Sequence, residues 1–343
     1  MELQRGINLG GFLSQCVHEE SHYASFVQKE DIRKIAEWGL DHVRLPIDYE
    51  VLEDEEGHIK EQGYERVKQV IDWCEEYGLN IILDLHRAYG YDFNDAGNKL
   101  RNNLFTSPKL QKRFIDLWSR IAAHFGMRRN VAFELLNEVV EKENAAAWNK
   151  LITETVCEIR KINKTVPVIY GGIQWNSVKT LKLLEIPQDE NVIFTFHFYE
   201  PLLFTHQKAP WVAAMDPAQT VSYPAAMEYY RQESGKLGFQ GEVVTMAKSH
   251  TMGEEFITEM IEEAILAAQN AGVSLYCGEF GVIDRAPAED TLRWYTDVNA
   301  VFKKYQIGFA AWTYKKMDFG IVGEHYADIK DSLIQMWTEK QNM

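Results

Sequence analysis

Short apolar runs alternate with longer stretches in which apolar residues recur every three or four positions, almost from end to end. Gly6-Ile7-Asn8-Leu9 is the first such run. In residues 31–38, Ile32, Ile35 and Ala36 share one helical face, and Gly39 closes the helix. Asp41 to Leu45 predicts a second strand, stopped by Pro46. The helix at 64–77 buries Val67, Val70, Ile71 and Cys74 and ends at Gly78. The same alternation predicts strands at 80–86, 131–136, 167–171, 192–198, 274–279 and 308–312. Helices are expected at 110–125, 145–162, 254–271 and 289–305. Eight strand–helix repeats imply a parallel sheet closed on itself, a (β/α)₈ TIM barrel occupying residues 1–343 as one catalytic unit. The rhythm breaks once, after the sixth strand. Residues 201–253 exceed what a loop needs and predict an inserted subdomain over the C-terminal face, carrying Phe204, His206, Trp211, Tyr223, Tyr229 and Tyr230.

Composition narrows the classes. The 343 residues are 46% hydrophobic and 25% charged, as in an ordinary globular protein with a sizeable core. The net charge of −15 disfavours nucleic acid and anionic membrane surfaces as partners and leaves neutral substrates unaffected. No apolar run approaches the roughly 18 residues of a membrane span. The stock of 9 Trp, 16 Tyr and 17 Phe suits core packing first and sugar stacking second. Cys16, Cys74, Cys157 and Cys277 lack metal-type spacing and read as free buried thiols in a reducing setting. No secretory leader opens the chain, so the expectation is a cytoplasmic protein, or a secreted one whose leader has been removed.

In a barrel of this kind, residues at the C-terminal ends of the strands converge on one mouth. The predicted strands deliver Arg44, His86 and Arg87, Asn137 and Glu138, His197 and Tyr199, Glu279, and Trp312. Singly, most have structural explanations. Arg44 could pair with Asp84 or Glu134, both histidines could be satisfied core groups, and Trp312 could be packing. Together they would have to be desolvated at one rim, which points to a site. Two acids at one mouth are the minimum for cutting a glycosidic bond, one to protonate the leaving oxygen and one to attack the anomeric carbon. Arg44 and Tyr199 are placed to keep Glu279 ionised, while burial and repulsion keep Glu138 protonated. Asn137 can bond a sugar hydroxyl and Trp312 can face a pyranose ring. A metal-dependent hydrolase would need further clustered ligands, and a non-catalytic carbohydrate-binding barrel leaves both acids idle.

The ordered set Gly6-Ile7-Asn8-Leu9-Gly10-Gly11, His42-Val43-Arg44-Leu45-Pro46, Leu83-Asp84-Leu85-His86, Leu136-Asn137-Glu138, His197-Phe198-Tyr199, Gly278-Glu279-Phe280-Gly281 and Ala311-Trp312 resembles glycoside hydrolase family 5, and within it the clostridial cellulases. The resemblance implies Glu138 as acid/base and Glu279 as nucleophile. It implies Arg44, His86, Asn137, His197, Tyr199 and Trp312 as the supporting shell, draws in Asn8 and Asn176, and suggests Lys316 at outer sugar subsites. It implies no metal and no organic cofactor. The activity it suggests is retaining hydrolysis of β-1,4 bonds in cellulose-like or mixed-linkage β-glucans and their oligosaccharides. A β-mannan or β-1,3-glucan preference, with or without exo action, is the alternative. One departure stands out. Many members carry two histidines after the third strand, and this chain has His86-Arg87, which puts a guanidinium where the resemblance implies a glycon-side contact.

Overall fold

The computed structural model describes residues 1–339. The last four residues of the predicted 1–343 unit lie outside the described residues.

Eight parallel strands close in sequence order: β1 Arg5–Asn8, β2 His42–Asp48, β3 Asn80–Arg87, β4 Val131–Glu134, β5 Val168–Gly171, β6 Val192–Phe198, β7 Ser274–Phe280 and β8 Gly308–Ala311. β1 pairs with β8 through Ile7 and Ala311, which shuts the barrel. Helices cover the outside at Lys29–Glu37, Glu61–Glu76, Pro108–Phe125, Ala145–Ile162, Glu254–Ala271, Ala288–Tyr305 and Lys330–Thr338. Only between β5 and β6 is the crossover a short 3₁₀ turn, Val178–Leu183. Both faces of the sheet are therefore covered, and nearly every strand residue is buried. Among the described residues no helix is long and apolar enough to cross a membrane.

Side chains inside the barrel are layered. Alternation places Ile82, Asp84 and His86 on one face of β3. Ile82 belongs to a small apolar cluster with Leu3, Ala132, Ile169, Tyr276 and Ala310 at the lower end. His42 and Tyr276 join there by an Nε2···Oη contact of 2.7 Å. A Cβ on Gly6 would lie 2.2 Å from the His42 ring, so only glycine fits that floor position. Above this layer come Arg44, Asp84 and Glu134, and above them the mouth.

Two strand expectations need correction. β2 does not stop at Pro46; it runs to Asp48, paired with β3. The carbonyl of Arg44 faces β1, where it accepts from Leu9 N–H, so Pro46, two residues on, faces the same side. β1 has already ended at Asn8, and the missing N–H has no ladder partner to disappoint. The fourth strand ends at Glu134, earlier than expected, so Asn137 and Glu138 stand on the loop beyond it. The thiol expectation also changes. All four cysteines are free, but Cys157 is exposed and Cys16 only half-buried.

The 201–253 segment folds as short helices, Leu202–Thr205, Met227–Ser234 and Glu242–Thr245, with a 3₁₀ stretch at Gly235–Gly241. Phe204, Tyr223 and Tyr230 are fully buried and belong to the main core. His206 and Trp211 face the cleft at the barrel mouth, with Phe239 and Val243 from the same segment.

Candidate active site

The mouth opens into a cleft of about 850 Å³. Glu279 reaches it through an irregularity in β7. Tyr276 points inward, so strict alternation would turn Glu279 outward. The β6–β7 ladder slips by one residue there: Phe196 pairs with Cys277 and His197 with Glu279. Gly278 is the extra residue of a β-bulge that re-aims the acid. A Cβ on Gly278 would lie 2.9 Å from Thr195 Oγ1 and 3.2 Å from His197 Nε2, so the glycine also admits the imidazole.

Glu279 is held at both oxygens. Arg44 Nη1 donates to Oε1 at 2.8 Å, and Tyr199 Oη donates to Oε2 at 3.0 Å. Burial raises its pKa, and the nearby Arg44 charge opposes that rise. The hydrogen bonds and the cation favour the charged form. Arg44 is fully buried and serves two further carboxylates, Glu134 in a bidentate pair at 2.7 and 2.9 Å and Asp84 at 3.0 Å. It also donates to Asn8 Oδ1 and Asn137 Oδ1. Arg44 is thus both the structural partner of Asp84 and Glu134 and the cation beside the mouth.

Glu138 lies across the cleft. Burial pushes its pKa up to about 7. His197 Nδ1 is 2.7 Å from Glu138 Oε1, and the Asn176 amide nitrogen is 3.3 Å from His197 Nε2. Asn176 Nδ2 can only donate, so Nε2 accepts and Nδ1–H donates to Glu138. Burial lowers the His197 pKa to about 4, so this imidazole is neutral at pH 7. One oxygen of Glu138, one of Glu279 and a His197 nitrogen all lie within 4.8 Å of one another.

The other expected residues fall into two groups. His86, Asn137, His197, Tyr199 and Trp312 line the cleft with the two acids. His86 and Trp312 stack in parallel, 5.9 Å between ring centroids. His86 Nδ1 sits 2.6 Å from Asp84 Oδ2. Burial raises the Asp84 pKa to about 7, against the pull of Arg44. Asn8 and Asn176 are buried behind the lining. Asn8 donates to the Gly278, Ala310 and Ala311 carbonyls, tying the β7–β8 end to β1. Arg87 and Lys316 are not in the lining. Arg87 turns away to Asp48, Glu50 and Asp92 at 2.7, 3.1 and 3.0 Å, so the expected glycon-side contact by its guanidinium is corrected. Lys316 is exposed, with its ammonium 5.7 Å over the Phe26 ring, because three successive residues of positive φ, Lys316 to Asp318, turn Met317 and Phe319 into the cleft instead.

Two features escaped the sequence reading. Gln174, Trp175 and Asn176 all have positive φ. This costly turn is held by Trp175 N–H to the Val139 carbonyl and by His197 N–H to the Asn176 carbonyl. It presents Trp175 to the cleft beside Phe239, 6.1 Å between rings. The run Gly171-Gly172-Ile173-Gln174-Trp175-Asn176 was the available signal. Gln15 also lines the cleft, and nothing in its neighbourhood marked it.

A family model described as cellulase (glycosyl hydrolase family 5) matches residues 5–318. Endoglucanase C of Acetivibrio thermocellus is 38% identical over 349 aligned residues, covering 99% of each chain. Cellodextrinase A of Ruminococcus flavefaciens is 38% identical over 88% of this chain and 83% of its own. The endoglucanase Cel5A structure from Thermotoga maritima superposes with a TM-score of 0.73 at 25% identity, covering 98% of this chain and 97% of that one. With this match across the barrel and both acids at its mouth, the chain belongs to glycoside hydrolase family 5.

Proposed function

We propose that the protein is an endo-β-1,4-glucanase that cleaves cellulose-like or mixed-linkage β-glucans and their oligosaccharides by double displacement. The observation that carries this reading is the approach of the Glu138 and Glu279 carboxyl oxygens within 4.8 Å. Retaining glycosidases hold their carboxyls ~5–5.5 Å apart, whereas inverting ones need ~6.5–9.5 Å to seat a water. The full-length similarity to an endoglucanase supports the substrate class. It also disfavours the β-mannan and β-1,3-glucan alternative.

In the first step a Glu279 oxygen attacks the anomeric carbon as the glycosidic C–O bond breaks. Glu138 gives its proton to the departing oxygen, leaving a glycosyl ester on Glu279 and a carboxylate on Glu138. In the second step Glu138 removes a proton from water, whose oxygen attacks the anomeric carbon and frees Glu279. Arg44 and Tyr199 favour the anionic nucleophile, and burial keeps the acid protonated near neutrality. Asn137 accepts from Arg44 through Oδ1, which leaves its Nδ2 for a sugar hydroxyl whose bond strengthens as charge develops. The segment 201–253 serves as one wall of the cleft, with Trp211 and Phe239 as exposed faces for sugar rings. The residues fit a reaction that needs neither metal nor organic cofactor.

Digestion of cellooligosaccharides and mixed-linkage β-glucan, with products sized by chromatography and anomers followed by NMR, tests the reading. Internal cleavage with β-configured new ends is expected. An α-configured first product would overturn the mechanism, and release of monosaccharides alone would overturn the endo assignment.

A further inference from the structure

The loop after β1 is pinned to the end of β2 by one buried acid. Asp48 is fully buried. Ser14 Oγ donates to its Oδ1 at 2.7 Å, and Gln15 N–H donates to its Oδ2 at 3.0 Å. Asp48 N–H returns a bond to the Leu13 carbonyl. These contacts hold Gln15 at φ +51°, in the left-handed region that glutamine rarely adopts. Arg87 Nη2 bonds Asp48 Oδ2 from the other side at 2.7 Å, and Glu50 and Asp92 complete an acidic ring around that guanidinium. His18, Asp48 and Glu50 are close enough to share an ion, but Arg87 already supplies the positive charge there.

The side chain that this clamp delivers is Gln15. It lines the cleft, and its Nε2 lies 3.0 Å from His86 Nε2. Gln15 Nε2 can only donate, so His86 Nε2 accepts and the ring hydrogen lies on Nδ1, facing Asp84 Oδ2. The Gln15 amide plane is thereby set, and among the described residues its Oε1 accepts no bond. The leaving-group side of the cleft is fixed by the acid Glu138 and by Trp175, whose N–H bonds the residue after that acid. Gln15 stands beside the His86–Trp312 stack.

We propose that Gln15 is a sugar-binding residue on the non-reducing, glycon side of the cleft, accepting a hydrogen bond from a glucosyl hydroxyl through Oε1. We further propose that Arg87 acts as its positioning residue through Asp48. The proposal rests on the β-glucanase reading above. It recasts the His86-Arg87 departure: the arginine shapes glycon recognition from outside the cleft.

The test is steady-state kinetics on 4-nitrophenyl β-cellobioside, whose two glucosyl units fill only the glycon side. Partition of the glycosyl-enzyme between water and added cellobiose is read in parallel, since that acceptor fills only the leaving-group side. Gln15→Ala should lower kcat/KM roughly tenfold, the size of one lost hydrogen bond in a transition state, with the partition unchanged. Arg87→Gln should lower kcat/KM in the same direction. The double variant should be no worse than the poorer single variant within about twofold, because both remove one contact. The thermal midpoint of Gln15→Ala should match the parent, which separates lost contact from lost fold. An active parent with Gln15→Ala inside twofold of it would overturn the proposal alone, as would fully multiplicative effects of the two substitutions. A parent inactive on the cellobioside would overturn the β-glucanase reading, and this proposal with it.

Discussion

Glu138 and Glu279 are the same residue type in one buried pocket, and their neighbours separate their roles. Glu279 has a guanidinium and a phenol on it; Glu138 has only a neutral imidazole. Glu138→Gln should therefore lower kcat/KM on an oligosaccharide by roughly 10²–10⁴, the usual worth of a general acid. The loss should shrink sharply on 2,4-dinitrophenyl cellobioside, whose leaving group departs without a proton. Equal losses on both substrates would remove the acid from Glu138. A proton held up to about pH 7 also sets a direction: kcat/KM on oligosaccharides falls as pH rises through that value. Linkage gives stability the same sign. The raised folded pKa means that the folded state keeps the proton longer than the unfolded chain. Its stabilisation is full below the ordinary carboxylate range and is lost as pH rises through about 7. Thermal melts across pH 5–8 should slope downward, and less so in Glu138→Gln.

At the scale of elements, the sequence was readable wherever burial imposes a period. The helices 145–162 and 254–271 have the expected ends because their apolar faces stop where the core stops. Glu138, Glu279 and Arg44 were readable because an acid or a guanidinium in or just after an apolar run demands a reason. Three features were not. Pro46 continues β2 because a neighbour runs out, which is a property of β1. The bulge at Gly278 depends on pairing with β6. Gln15 owes its place to Asp48 and Arg87, far along the chain, and a loop has no period to betray such contacts. Chain endings carry a testable contrast. The helix Glu254–Ala271 is capped by Gly272 in the left-handed conformation. The helix Ala288–Tyr305 ends the same way at Gln306, with φ +56°. Gln306 is exposed, so Gln306→Gly removes the side-chain penalty at no packing cost. A gain of about 0.5–1 kcal/mol is expected, seen as a raised midpoint in calorimetry with activity unchanged. A lowered midpoint would contradict the cap assignment.

At the scale of the whole molecule, a strongly acidic body surrounds a cleft meant for an uncharged polymer. Screening acts on charge–charge encounter and leaves neutral sugars indifferent. Hydrolysis of cellopentaose should therefore change by less than about twofold between 20 mM and 500 mM sodium chloride, as progress curves would report. A steep dependence would indicate a charged substrate. The segment 201–253 is likewise no detachable lid, since Phe204, Tyr223 and Tyr230 are rooted in the common core. Beneath all of it lies Arg44, one guanidinium gripped by Asp84, Glu134 and Glu279. A keystone of that kind cannot be traded for another residue one step at a time, because the vault and the reaction would fail together. Room for adaptation is therefore pushed outward to the rim, where loops such as the one bearing Gln15 can be rewritten while the chemistry below stays frozen.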